Sequence, residues 1–119
     1  MKTLAEGRSQ IFREMPEAEL QERVIELACL FGWLVHAERP ARSQKGWRTP
    51  IQGDPGFPDL VLARNGVVWF VELKRADGRA GAGQNEWLHE TKGIVWRPQD
   101  LESGAIEIAL RSPEATRQS

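Results

Sequence analysis

An Asn-Gly dipeptide, Asn65-Gly66, divides two apolar runs, LVLA before it and VVWFV after it. Both central residues of a type I′ turn need positive φ, which asparagine and glycine tolerate best. The spacing therefore predicts a two-residue β-hairpin with strands at 59–64 and 67–74. Such a turn dictates the register. Arg64 faces Val67, Ala63 faces Val68, Leu62 faces Trp69, Val61 faces Phe70, Leu60 faces Val71, and Asp59 faces Glu72.

Directly opposed residues share a sheet face, with Cβ atoms roughly 4.5–5.5 Å apart. Lys74, two residues past Glu72, points to that face as well. The same face carries Val61, Ala63, Val68 and Phe70, and the other carries Leu60, Leu62, Trp69, Val71 and Leu73. With both faces apolar, the hairpin is expected to be central and covered on both sides. Two carboxylates facing each other in such surroundings repel, and burial opposes their charge. A hard divalent cation removes the conflict, because Mg²⁺ takes oxygen ligands from one or two carboxylates and keeps room for a phosphate. The competing reading of Asp59, Glu72 and Lys74 is a surface salt bridge.

The series Pro58-Asp59, then Glu72-Leu73-Lys74, resembles the PD-(D/E)xK nuclease signature. The fuller wording GFPDL…VELK…Q…W…WRP resembles the VRR-Nuc branch, the virus-type replication-repair nuclease domain, over roughly residues 16–100. The resemblance implies an α/β fold with a restriction-endonuclease-like core, a mixed central sheet of about four to five strands flanked by helices. It implies metal ligation by Asp59, Glu72 and the Leu73 backbone carbonyl, with Lys74 beside the attacking water, either positioning it or accepting its proton. In this family the first helix adds an acidic or amide residue. Glu17 fits as a further metal ligand and Gln21 as a DNA-facing neighbour, with Glu19 and Glu22 as alternatives. A glutamine opening the second core helix lies beside the site, and Gln84 matches it. Relatives have a longer joint before the WRP segment than Glu90-Thr91-Lys92-Gly93 provides.

At 119 residues the chain has room for one core, expected over 16–111 between tails at 1–15 and 112–119. No apolar run reaches the ~20 residues of a membrane span, and residues at the start lack a signal-peptide core. A cytoplasmic protein is expected. The single cysteine, Cys29, excludes an internal disulfide and a thiolate zinc cluster, and reads as a buried small hydrophobe. With only His36 and His89, a metal must be held by oxygen. The net charge of −1 argues mildly against nucleic acid as a partner, although distribution matters more than total.

Along the chain, Leu20, Val24, Leu27, Ala28 and Phe31 fall at helical spacing, with Pro16 suited to the first turn and Gly32 to the stop. Residues 33–37 read as a strand. Residues 37–58 form a long connection containing Arg39, Arg42, Lys45 and Arg48 around Trp47, with no acid between Arg39 and Thr49. These cations suit phosphate, and the indole suits stacking on a base; a solvated loop with Trp47 tucked onto the core is the plain alternative. His36 reads as a strand-end hydrogen bonder or a phosphate contact. A glycine-rich turn at 77–83 leads into a helix at about 84–92, with Arg79 and Gln84 at an anion-facing N-terminus. Ile94-Val95-Trp96 reads as a short strand, and Ile106, Ile108 and Leu110 alternate as a last β segment.

The expected function is a Mg²⁺-dependent DNA endonuclease, with Mn²⁺ able to substitute. By resemblance it is selective for branched DNA such as Holliday junctions, works as a homodimer and leaves 5′-phosphate ends. The rivals are a non-catalytic nucleic-acid-binding or partner-binding module, which binds without turnover, and an accessory nuclease subunit of a phage replication or repair complex, which is feeble alone.

Overall fold

A computed structural model describes residues 3–38 and 52–113. The hairpin forms as the Asn-Gly turn requires. Asn65 and Gly66 adopt φ of 50° and 81°, and strands β2 (Leu60–Arg64) and β3 (Val67–Leu73) pair antiparallel in the expected register from Arg64↔Val67 to Leu60↔Val71. Strand β1 (Leu34–Ala37) pairs antiparallel with β2, and β4 (Ile94–Trp96) pairs parallel with β3. The result is a four-stranded mixed sheet of order β1-β2-β3-β4, flanked by helices.

Helix α1 (Leu4–Arg13) lies within the expected N-terminal tail. Thr3 and Glu6 close a reciprocal capping box at its start, and Ser9 donates to Glu102 at 2.8 Å. Helix α2 (Glu17–Leu30) starts after Pro16, which makes no side-chain cap, and stops at Gly32, whose φ is +83°. Its stripe of Leu20, Val24 and Ala28 is fully buried against Leu60, Leu62, Val71 and Leu73. Cys29, the next residue round the helix, is exposed, which corrects the expectation of burial. Only about three or four positions in every two turns of an amphipathic helix meet the core.

Helix α3 (Ala82–Thr91) begins two residues before its expected start. Lys92 in the left-handed region ends it before Gly93 and β4. After β4 comes a short helix, α4 (Pro98–Glu102), and the expected β segment at 106–110 is instead helix α5 (Ala105–Arg111). Ile106 and Leu110 sit one helical turn apart and are fully buried, whereas Ile108 is 66% exposed. The alternating apolar residues obey the i, i+4 rule as well as the i, i+2 rule, and packing against α2 selects the helix.

One sheet face is closed. Trp33, Trp69 and Trp96 run across it with centroid spacings of 4.7 and 6.2 Å, and Trp33 donates its indole N–H to the Leu110 carbonyl at 2.9 Å. The other face is covered by α3 only at the Glu72 end. Phe57 packs edge-on to both Phe70 and Trp87 there, while Leu34 and Val68 at the turn end are exposed. The hairpin is thus central in the sheet but open over half of one face, a correction to the expected double cover.

Candidate metal and phosphodiester site

Asp59 and Glu72 meet where the β2–β3 ladder ends. In place of a further backbone pair, Asp59 N–H donates to Glu72 Oε1 at 3.3 Å and Leu73 N–H donates to Asp59 Oδ2 at 2.8 Å. The Asp59 carbonyl accepts from Glu38 N–H at 3.3 Å, tying the same point to the end of β1. The paired register ends at Leu60↔Val71, and beyond it the two acids are joined through their side chains.

Glu72 is 1% exposed. Its Oε1 is satisfied, but Oε2 is buried without a hydrogen bond among the described residues. Lys74 Nζ lies 3.4 Å from Oε2, inside Coulomb reach though outside good hydrogen-bond geometry, and its side chain is 12% exposed. Burial pushes the Glu72 carboxyl up from 4.5 to about 7. The charge of Asp59 and a shared hydrogen bond with it add to the rise, and Lys74 opposes it. A carboxylate oxygen without a hydrogen bond, beside a second carboxylate, is the hard donor a divalent cation needs.

Glycine sets the placement of α3 beside this pair. Gly56 adopts φ +97°, and a Cβ there would lie 2.5 Å from the Gly83 carbonyl carbon and 2.7 Å from Gln84 N. The backbone before Pro58-Asp59 and the first turn of α3 thus pack directly on each other. Trp87 Nε1 reinforces the contact by donating to the Asp54 carbonyl at 3.3 Å.

Gln84 lies in this first turn, and its Oε1 accepts from Gly81 N–H at 2.8 Å, so its carbonyl caps the helix. Glu17 and Gln21 sit in the first half of α2, whose core stripe meets the face opposite Glu72, and Glu17 is exposed. Among the described residues no group of three or more His, Cys, Asp or Glu side chains gathers, so Asp59 and Glu72 stand as a pair. His36, opposite Val61, projects from the Glu72 face at the end of β1, with Nε2 3.6 Å from Glu38 Oε1. Leu73 brings its backbone N–H to Asp59. Arg79 is exposed ahead of α3. Arg39, Arg42, Lys45, Trp47 and Arg48 lie outside the described residues.

Arg97 was singled out in the sequence only as part of a motif. Its Nη1 donates to the carbonyls of Gly78 at 2.6 Å and Arg75 at 2.8 Å, pinning the chain that leaves β3 just past Lys74. Carbonyl acceptors leave no side-chain signature, so spacing could not reveal this role. No helix among the described residues is long and apolar enough to cross a membrane. Comparison with protein-family models, with curated proteins and with solved structures returned no match.

Proposed function

We propose that the chain is a Mg²⁺-dependent DNA endonuclease of the VRR-Nuc type, hydrolysing phosphodiester bonds in branched DNA. The observation that carries the reading is the buried Glu72 with its orphaned Oε2, set against Asp59 and Lys74. The succession α2, β1, β2, β3, α3, β4, with a parallel fourth strand after three antiparallel ones, supports a restriction-endonuclease-like core.

Asp59 and Glu72 supply the hard oxygens that would hold the ion. When bound, Mg²⁺ supplies Lewis-acid stabilisation of charge on a phosphate and makes water more acidic. The chain's own groups do the rest. Leu73 N–H fixes the Asp59 carboxylate, and Asp59 N–H fixes that of Glu72. Lys74 holds its ammonium within 3.4 Å of Glu72, where it can orient a water or, once deprotonated, take its proton. Phe57 packs edge-on to Phe70 and Trp87 and joins the chain before Asp59 to the sheet and to α3.

The test is cleavage of duplex, flap, splayed and four-way DNA with Mg²⁺, with Mn²⁺ and with EDTA. Cleavage of branched substrates with either metal and none with EDTA is expected. Asp59→Ala and Glu72→Ala abolish it, and Lys74→Ala lowers it by about a hundredfold or more, with folded circular-dichroism spectra throughout. Undiminished nicking by any of the three variants contradicts the assignment. DNA binding without turnover, indifferent to Mg²⁺, identifies a non-catalytic module instead.

A further inference from the structure

One strand over from the carboxylate pair, Arg79, Ala80, Asn85, Val95 and Arg97 line an open cleft of about 530 Å³. Val95 forms its floor. It pairs in parallel register with Glu72, so the cleft opens on the same sheet face, about 5 Å sideways across the sheet. The start of α3 and the loop after β3 form its walls.

Among the described residues, two cations and no acid line this cleft. Arg97 is anchored through Nη1 alone to three loop carbonyls, those of Arg75, Ala76 and Gly78, which leaves Nη2 and Nε without an acceptor among the described residues. A guanidinium offers five N–H donors in a rigid fork, matched in shape to a phosphate edge. Neither Arg79 nor Arg97 forms an ion pair among the described residues. Asn85 turns its side-chain N–H toward the Ala80 carbonyl at 3.4 Å, closing the rim. The positive end of the α3 dipole adds to the field of the two arginines. On its other flank α3 meets a cleft lined by Asp54, Glu86, Trp87 and Glu90, three of them acids. The helix thus divides a cationic side from an anionic one, and a polyanion can follow only the first.

We infer that the Arg79–Arg97 cleft is an oxyanion subsite, seating a backbone phosphate of nucleic acid next to the one presented to Asp59 and Glu72. Its place along the substrate rests on the nuclease reading; its capture of phosphate does not. Arg97 fixes the phosphate through the fork that the loop leaves free, and Arg79 closes over it from the exposed side.

Two metal-free measurements in EDTA test this. In the first, inorganic phosphate is titrated into the full chain and followed through backbone amide shifts; saturable shifts at residues 79–85 and 97 are expected, and Arg79→Gln reduces them. In the second, binding of a four-way DNA is followed across a salt series. Arg79→Gln weakens binding several-fold and lowers the log–log salt slope by about one. Arg111→Gln, on α5 behind the closed face, leaves both unchanged. Arg79 has an exposed side chain with no partner among the described residues, so its variant is expected to fold. Phosphate shifts in a protein that cleaves nothing uphold the subsite and count against the nuclease. Active wild type with Arg79→Gln unaltered in phosphate shifts, affinity and salt slope overturns the subsite and leaves the nuclease standing.

Discussion

Glu72 is the residue whose energetics depart furthest from the ordinary. Its carboxyl is pushed up to about 7 in the folded chain, against 4.5 without those surroundings. A folded state that holds the proton more tightly than the unfolded state gains stability from it below about pH 4.5. That gain disappears as pH rises through about 7, and its full size is on the order of 3 kcal/mol. In EDTA, the melting temperature of wild type is expected to fall between pH 5 and pH 8. Glu72→Gln, neutral throughout and similar in shape, flattens that fall and melts above wild type at pH 8. Identical pH profiles for the two proteins contradict the assignment of the shift. Asp59, Glu72 and Lys74 were legible in the sequence because a two-residue turn and a period of two convert spacing into position. The exposure of Cys29 was not, because helical spacing leaves the angular edge of an apolar stripe undefined. Gln84 is at the expected place, yet its carbonyl is committed to Gly81.

At the scale of elements, two glycines with similar backbones separate conformational strain from crowding. Gly66 adopts φ +81° with nothing within 4 Å of an added Cβ, whereas at Gly56, φ +97°, a Cβ would strike Gly83 and Gln84 backbone. Gly66→Ala is expected to cost about 1 kcal/mol, the left-handed strain alone. Gly56→Ala costs roughly 2–4 kcal/mol, strain plus overpacking, and it levers α3 away from the Pro58-Asp59 loop, so cleavage falls with stability. Urea denaturation of both variants reads the difference; equal losses contradict the close packing. The hairpin and α2 were legible because each repeats one period over several residues. Helices α4 and α5 were not. Pro98 suits both a strand end and the first turn of a helix, and Ile106, Ile108 and Leu110 fit either period. Only burial of Ile106 and Leu110 against α2 decides between them.

Across the whole molecule, the proposed site draws on three segments. The end of β3 gives Glu72 and, one residue on, Lys74; the chain entering β2 gives Asp59; and the start of α3 packs on the backbone at Gly56 just before it. The closed face, with its tryptophans and the Leu20–Val24–Ala28 stripe, holds the sheet rigid beneath them. The half-open face leaves an approach for a large substrate. Whether Asp59 and Glu72 act as a shared ligand pair is read from anomalous diffraction of crystals soaked in Mn²⁺ at pH 8. A peak bridged by carboxylate oxygens of Asp59 and Glu72, lost in Glu72→Gln, is the expected result. Mn²⁺ bound elsewhere with this pair bare, or a peak that survives Glu72→Gln unchanged, contradicts it.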